Sequence, residues 1–315
     1  MTGGIFSVSP ATDSSVGSLV GAPLSAETKA DSSADAAPGA SGEYAFVLKG
    51  RISMVANMLM RGMLIGIFAA ILSFGFLKIA GAPSVDRAIA FETAMDEAKD
   101  KAKADEAAAK GMTIPKEDAA PELVSRSVQA GVGLFTGVAV YSAAFGGLFA
   151  LVFAVTYRRM GDFSPRTTAA LLALSGVVAV YAVPALKYPA SPPSVGDPET
   201  ITMRTQLYFS MIAVSLAAVV GAWMLRNRLT SRLGGWNASL IAVAAYVAAV
   251  VTVGLALPSV NEVPDGFPAV VLWQFRLASL GAQVIMWATI GLGFGALMER
   301  GPAMSGNRSG FRTVA

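Results

Sequence analysis

The chain of 315 residues contains neither cysteine nor histidine. Without thiols it has no disulfides, no thiolate metal site and no thiol nucleophile. Without imidazole it lacks the usual general base near neutral pH and the commonest metal ligand. Charge is scarce too. Asp, Glu, Lys and Arg make up 14% of the residues while hydrophobic types reach 54%, against about 25% charged in ordinary soluble domains. No HExxH, GxSxG or phosphate-cradling GxxxxGK[ST] pattern occurs. These absences argue against an enzyme and against ATP-driven work by this chain itself.

What is present is apolar sequence in long runs. Six runs cover 62–80, 131–157, 167–186, 205–225, 236–257 and 277–298, each near the ~20 residues that cross a hydrocarbon core of ~30 Å. No Asp or Glu falls within them. Loops at one end carry Arg158, Arg159 and Arg166, then Arg226, Arg228 and Arg232, then Arg300, Arg308 and Arg312. Loops at the other end mix few bases with acids: Lys187, Asp197, Glu199 and Arg204, then Glu262 and Asp265. Basic residues flanking spans set orientation, which places the arginine-rich side in the cytoplasm. Lys49, Arg51 and Arg61, ahead of the first run, agree. The sequence predicts an all-α, polytopic transmembrane bundle of six spans in the cytoplasmic (inner) membrane, with both termini inside. Orientation accounts for the basic excess, so it carries no nucleic-acid signal.

Flanking segments differ in kind. Residues 1–45 are rich in Ser, Ala, Gly, Thr and Asp and lack the basic start and apolar core of a secretory signal; they read as a disordered cytoplasmic tail. Residues 46–300 form the transmembrane domain, and 301–315 a second cytoplasmic tail. A charged extracytoplasmic insert, 81–122, is rich in helix formers, with Glu97 and Lys101 at supportive i, i+4 spacing. It reads as a solvated helix rather than a binding arm. Ser164-Pro165 predicts a helix start, Asp197-Pro198 and Phe267-Pro268 predict two more, and Pro184 and Pro258 predict helix ends.

Each outward hairpin has a Pro-Ser-Val followed by an acid: Pro83 to Asp86, Pro193 to Asp197, and Pro258 to Glu262. Each returning helix begins near an arginine: Arg126, Arg204 and Arg276. The three hairpins read either as repeats, as in many transporters, or as chance recurrence of common residues. Within the spans the polar inventory is short. Arg276 falls about two turns into the last helix, with Ser279 and Gln283 on the same face at i+3 and i+7. Its predicted partners are the outer acids, because an intramembrane arginine is costly unless paired or able to reach the interface. It reads equally as a structural snorkelling residue and as a substrate contact. Gly62/Gly66, Gly133/Gly137 and Gly291, Gly293 and Gly295 have the small-residue spacing of close helix packing. Met54, Met58, Met60 and Met63 are scattered around their helix and read as lipid or core contacts rather than a soft-ion site.

The outer loops carry a resemblance. LKYPASPPSVGDPETITMRTQLYF (186–209), LPSVNEVPDGFPAVVLWQFRLASLGAQ (257–283), VDRAIAFE after the first run and ELVSRSVQAGVGLFTGVAVY entering the second closely resemble the CbtA family. The likeness runs from about Tyr44 to Arg300 and omits the tail and the charged stretch between Thr93 and Pro121. Members are described as probable cobalt transporter subunits. The resemblance implies Co2+ as a substrate rather than a bound cofactor, and a small single-span, histidine-bearing partner, CbtB. The outer residues matching its motifs are Asp86, Glu92, Asp197, Glu199, Glu262, Asp265, Arg204 and Arg276. Of these, Asp197, Glu199, Glu262 and Asp265 are candidate metal ligands at the outer mouth, and Arg276, Gln283, Arg204 and Lys187 candidate polar or pairing groups.

Chemistry strains this expectation. Divalent cobalt favours imidazole or mixed nitrogen and oxygen ligands, while this chain offers oxygen and thioether only. Either the partner supplies histidine, or the cargo is a chelated or anionic complex. Two further readings stand beside cobalt transport: a non-transporting membrane scaffold, and a carrier of an anionic small molecule in which Lys187, Arg204 and Arg276 converge on one cavity.

Overall fold

A computed structural model of the chain describes residues 40–111, 124–193 and 195–300. The chain divides into a unit of residues 1–47, described only over 40–47, where it is helical, and a unit of residues 48–315. The expected C-terminal tail, and the expected N-terminal tail up to residue 39, lie outside the described residues. Residues 40–45 already belong to the first helix.

That helix, α1 (Ala40–Phe76), does not stop where the first apolar run ends. It passes through a π-helical turn, Leu77–Gly81, into α2 (Ala82–Ala109), so the first span and the charged insert share one rod. Pro83 sits in the first turn of α2, where a missing N–H costs nothing, and the Ser84 hydroxyl donates to the Gly81 carbonyl at 2.7 Å. The exposed far half of α2 carries ion pairs Lys99–Asp96 and Lys110–Glu106, rather than the Glu97–Lys101 pair that the spacing suggested.

A helical lead-in, Arg126–Val128, and a second π turn, Gln129–Gly133, run into α3 (Leu134–Thr156). Helix α4 (Pro165–Gly176) starts as its sequence dictates: the Ser164 hydroxyl accepts the Thr167 N–H at 3.2 Å. Pro184 does not end this segment. A third π turn, Val177–Ala182, precedes α5 (Val183–Lys187), and Pro184 lies inside α5. A widened turn relieves the clash between a proline ring and the preceding carbonyls.

Among the described residues five helices are long and apolar enough to cross a membrane, one fewer than the six spans predicted. The difference lies in α6 (Ile201–Ala256), which carries the fourth and fifth apolar runs with no loop between them. Its 56 residues would span about 84 Å if straight. They are not straight. Gly234 adopts φ 76°, ψ 161°, a conformation closed to residues with a Cβ, and the two arms lie side by side. Ser215 Oγ is 2.8 Å from the Tyr246 hydroxyl, and Arg226 Nε donates to Ser239 Oγ at 3.0 Å. The basic loop expected around residues 226–232 is therefore helical. The last helix, α7 (Ala269–Arg300), begins directly after Pro268, as predicted.

One core joins α1, α3, α4 and α7 around the fully buried Phe153, Ile290 and Phe294. Phe294 meets Phe149 and Phe153 edge to face, with centroids 5.6 and 5.2 Å apart. Lipid cannot drive helices together hydrophobically, so backbone approach at small residues matters most. Gly62 and Gly66 of α1 pack directly on the backbone of Gly146 and Ser142 in α3. Gly291 and Gly295 of α7 sit on Ala173, Ala169 and Arg166, while Gly293 faces Ile65 of α1. The expected Gly133/Gly137 pair does not act this way: nothing lies within 4 Å of a Cβ placed on Gly137. Met54, Met60 and Met63 are exposed, and Met58 touches the core. A smaller cluster at the acidic end, Ala88, Val195, Phe267 and Val271, ties the start of α2 to the loops before α6 and α7.

Candidate functional site

The acidic end of the bundle is held by capping and loop bridges. Asp197 accepts the Glu199 N–H on Oδ1 at 2.9 Å, which opens the turn Pro198–Thr200 leading into α6. This places Thr200 and Arg204 one helical turn apart, facing the loop after α6. There Glu262 takes two donors and one ion pair: its Oε1 accepts the Thr200 hydroxyl, its Oε2 accepts the Asp197 N–H at 3.0 Å, and the same Oε2 lies 3.1 Å from Arg204 Nε. The Thr200 hydroxyl, then the Asp197 N–H and the Arg204 charge, hold the Glu262 carboxyl below its ordinary value of 4.5, against the opposing effect of burial. Gly196 completes the arrangement. At φ 132° it lies against the Arg204 guanidinium, and a Cβ there would meet Arg204 Nη1 at 2.5 Å. Across the loops, the Tyr188 hydroxyl donates to the Pro258 carbonyl at 2.8 Å.

These bridges enclose a cavity of about 770 Å³. Arg204, Glu262 and Arg276 line it, together with the rings of Tyr181, Tyr188, Tyr208 and Phe275. Arg276 departs from expectation. Its Nε donates to the Ala190 carbonyl at 3.2 Å, and among the described residues no carboxylate pairs with it. The acids expected to neutralise it are engaged elsewhere, Glu262 with Arg204 and Asp197 with its own turn.

Of the residues singled out in the sequence, the structure brings Arg204, Glu262 and Arg276 onto one cavity. Asp197 and Glu199 form the turn beside it, whereas Asp265 and Lys187 are not part of its wall. Lys187 Nζ stands 5.9 Å from the Tyr188 ring centroid instead. Gln283 lies deeper, near Tyr141, and Ser279 lies near Tyr181. Arg276, Ser279, Gln283 and Trp287 therefore form one stripe of α7, at i, i+3, i+7 and i+11. Gln283 Oε1 and Trp287 Nε1 are buried without partners. Past Trp287 the stripe meets the dry aromatic core at Ile290 and Phe294. Among the described residues no group of three Asp or Glu side chains comes close enough to hold a metal ion.

Sequence reasoning missed Tyr181, Tyr188, Tyr208, Gly196 and Trp287. Trp287 was within reach, since it continues the Arg276–Gln283 spacing by four residues. Tyr181 and Tyr188 come from one helical segment and its end, Tyr208 from α6, and only folding makes Tyr208 their neighbour. The three Pro-Ser-Val signatures also differ in conformation: helical at Ser84, a turn at Pro193, and without regular structure at Pro258–Val260.

The sequence model of the CbtA family, described as Probable cobalt transporter subunit (CbtA), matches residues 55–299. No curated protein and no solved structure matches the chain.

Proposed function

The chain belongs to the CbtA family of probable cobalt transporter subunits, and on that ground we propose that it is the membrane subunit of a cobalt uptake system, with its cargo received at the acidic end. One observation carries the reading: Arg204, Glu262 and Arg276 line a cavity at the acidic end, and further along the same face of α7 Ser279 and Gln283 lead to Trp287 and the packed apolar core. A cavity at one end of a bundle whose middle is tightly packed is what a transporter closed on one side requires. Asp197, Glu199, Glu262 and Asp265 act here as a negative rim that attracts a cation to the mouth, with Glu262 also positioning Arg204. The arginine-rich end faces the cytoplasm. A small histidine-bearing single-span partner supplies the nitrogen ligands that this chain lacks.

The test is radiolabelled cobalt uptake by cells expressing the chain alone, with that partner, and with the partner as Glu262→Gln or Asp197→Asn. Uptake that requires the partner and falls in both variants at unchanged membrane abundance supports the reading. A second reading, a scaffold that assembles a partner, draws on the glycine-packed contacts of α1 with α3 and of α7 with α4. Uptake that never exceeds background under any pairing favours it.

A further inference from the structure

The wall of the cavity is unlike a seat for a bare divalent cation. It presents two guanidinium groups and one carboxylate, Arg204, Arg276 and Glu262. That carboxylate already serves Thr200, the Asp197 N–H and Arg204, so ligating a metal would cost it two hydrogen bonds and an ion pair. The remaining lining is aromatic and proline-rich, with carbonyls and hydroxyls but no second acid. A hydrated cation placed there meets two guanidinium groups in the wall and, among the described lining residues, no carboxylate without other partners.

The same wall suits an oxyanion. Arg276 uses only its Nε, on the Ala190 carbonyl. Its two Nη groups have no acceptor among the described residues, and the side chain lines the cavity. A guanidinium edge of this kind matches a carboxylate in a two-bond fork. Tyr208, also in the wall, has a hydroxyl with no hydrogen-bond partner among the described residues. The volume is that of a site for a small organic molecule, mostly apolar with a few converging polar groups.

We infer that the cavity takes its cargo as a carboxylate-bearing ligand, free or wrapped around the metal, gripped by the Nη edge of Arg276 with the Tyr208 hydroxyl as second donor. The inference rests on the transport reading for the cargo's role, but the binding chemistry stands on the wall itself. In a metal chelate, the ligand would supply the donor atoms that this chain lacks, and its surplus negative charge would meet Arg276.

Isothermal titration of the full chain in nanodiscs tests it with three probes: citrate, cobalt–citrate and cobalt chloride. Citrate and cobalt–citrate bind; Arg276→Gln weakens both by about tenfold or more, Arg276→Lys by less, and Tyr208→Phe by a few fold. Thermal unfolding of each variant in the same nanodiscs confirms folding. If Arg276→Gln does not fold, Arg276→Lys and Tyr208→Phe decide, and unchanged affinity in both overturns the inference. So does binding of cobalt chloride with none of citrate, or full citrate affinity in Arg276→Gln. The two readings fail separately. Arg276-dependent citrate binding in a chain that never supports cobalt uptake upholds the oxyanion site and removes the cobalt role. Cobalt uptake with citrate binding indifferent to Arg276 does the reverse.

Discussion

Two arginines of the same cavity are neutralised differently, and the difference is chemical. Arg204 stands against Glu262, whose carboxylate also collects the Thr200 hydroxyl and the Asp197 N–H. Arg276 has a carbonyl and, among the described residues, no acid. The first arrangement leaves a signature in pH. Because the folded state holds the Glu262 carboxyl below its ordinary value of 4.5, its stabilising contribution is complete above that value and disappears as pH falls through the depressed one. Thermal unfolding of wild type and Glu262→Gln, followed from about pH 6 to about pH 3, should therefore show two things. The variant melts lower at the upper pH, where Arg204 has lost its counter-charge. The gap between the two then narrows below pH 4.5. A gap independent of pH would mean that the Glu262 carboxylate does not contribute through its charge.

At the scale of elements, glycine position rather than glycine spacing decides which helices touch. Gly62/Gly66 and Gly133/Gly137 look alike in sequence, yet only the first pair lies on a neighbouring backbone, that of Gly146 and Ser142. Gly66→Leu should cost about 1–3 kcal/mol, the usual penalty for overpacking a tight contact, seen as a lower melting temperature and loss of monodisperse protein. Gly137→Leu, placed where no atom lies within 4 Å, should leave both unchanged. Equal effects would remove the α1–α3 contact as a determinant of the fold. The π turns follow a related logic. Leu77–Gly81, Gln129–Gly133 and Val177–Ala182 each widen a helix, and Lys78 of the first donates to the Ala130 carbonyl of the second at 3.2 Å. Tyr181, in the third, reaches the cavity wall. Widened turns re-aim side chains where a regular helix could not.

For the bundle formed by residues 48–300, the distribution of arginine sets the direction. The break at Gly234, with Arg226, Arg228 and Arg232 before it, lies at the opposite end of α6 from the Arg204–Glu262 cavity. Basic flanks tend to be retained in the cytoplasm, and on the proposed orientation α2 is expected to project outward. The absence of native cysteine makes this directly testable with single replacements. A membrane-impermeant maleimide should label Asp100→Cys in intact cells, and Arg228→Cys only after lysis. The reverse pattern would invert the molecule and place the cavity on the cytoplasmic side.

Much of this was legible before folding. The helical class, the apolar runs, the Ser164 and Asp197 caps and the helix start after Pro268 depend on local backbone chemistry and on a bilayer that forces internal hydrogen bonding. The exclusion of thiol and imidazole chemistry needs only a count of residues. Tertiary structure decided the rest. Pro184 could stay within a helix because the preceding turn widens, and the two helices carrying the fourth and fifth runs follow each other without a loop because Gly234 alone turns the chain between them. Which acid meets which arginine is a matter of two loops meeting, with Asp197 and Glu262 65 residues apart. The same meeting leaves Arg276, among the described residues, without a carboxylate and in a cavity with tyrosines from two segments. Spacing along a chain reports the face a residue occupies; only packing determines what that face meets.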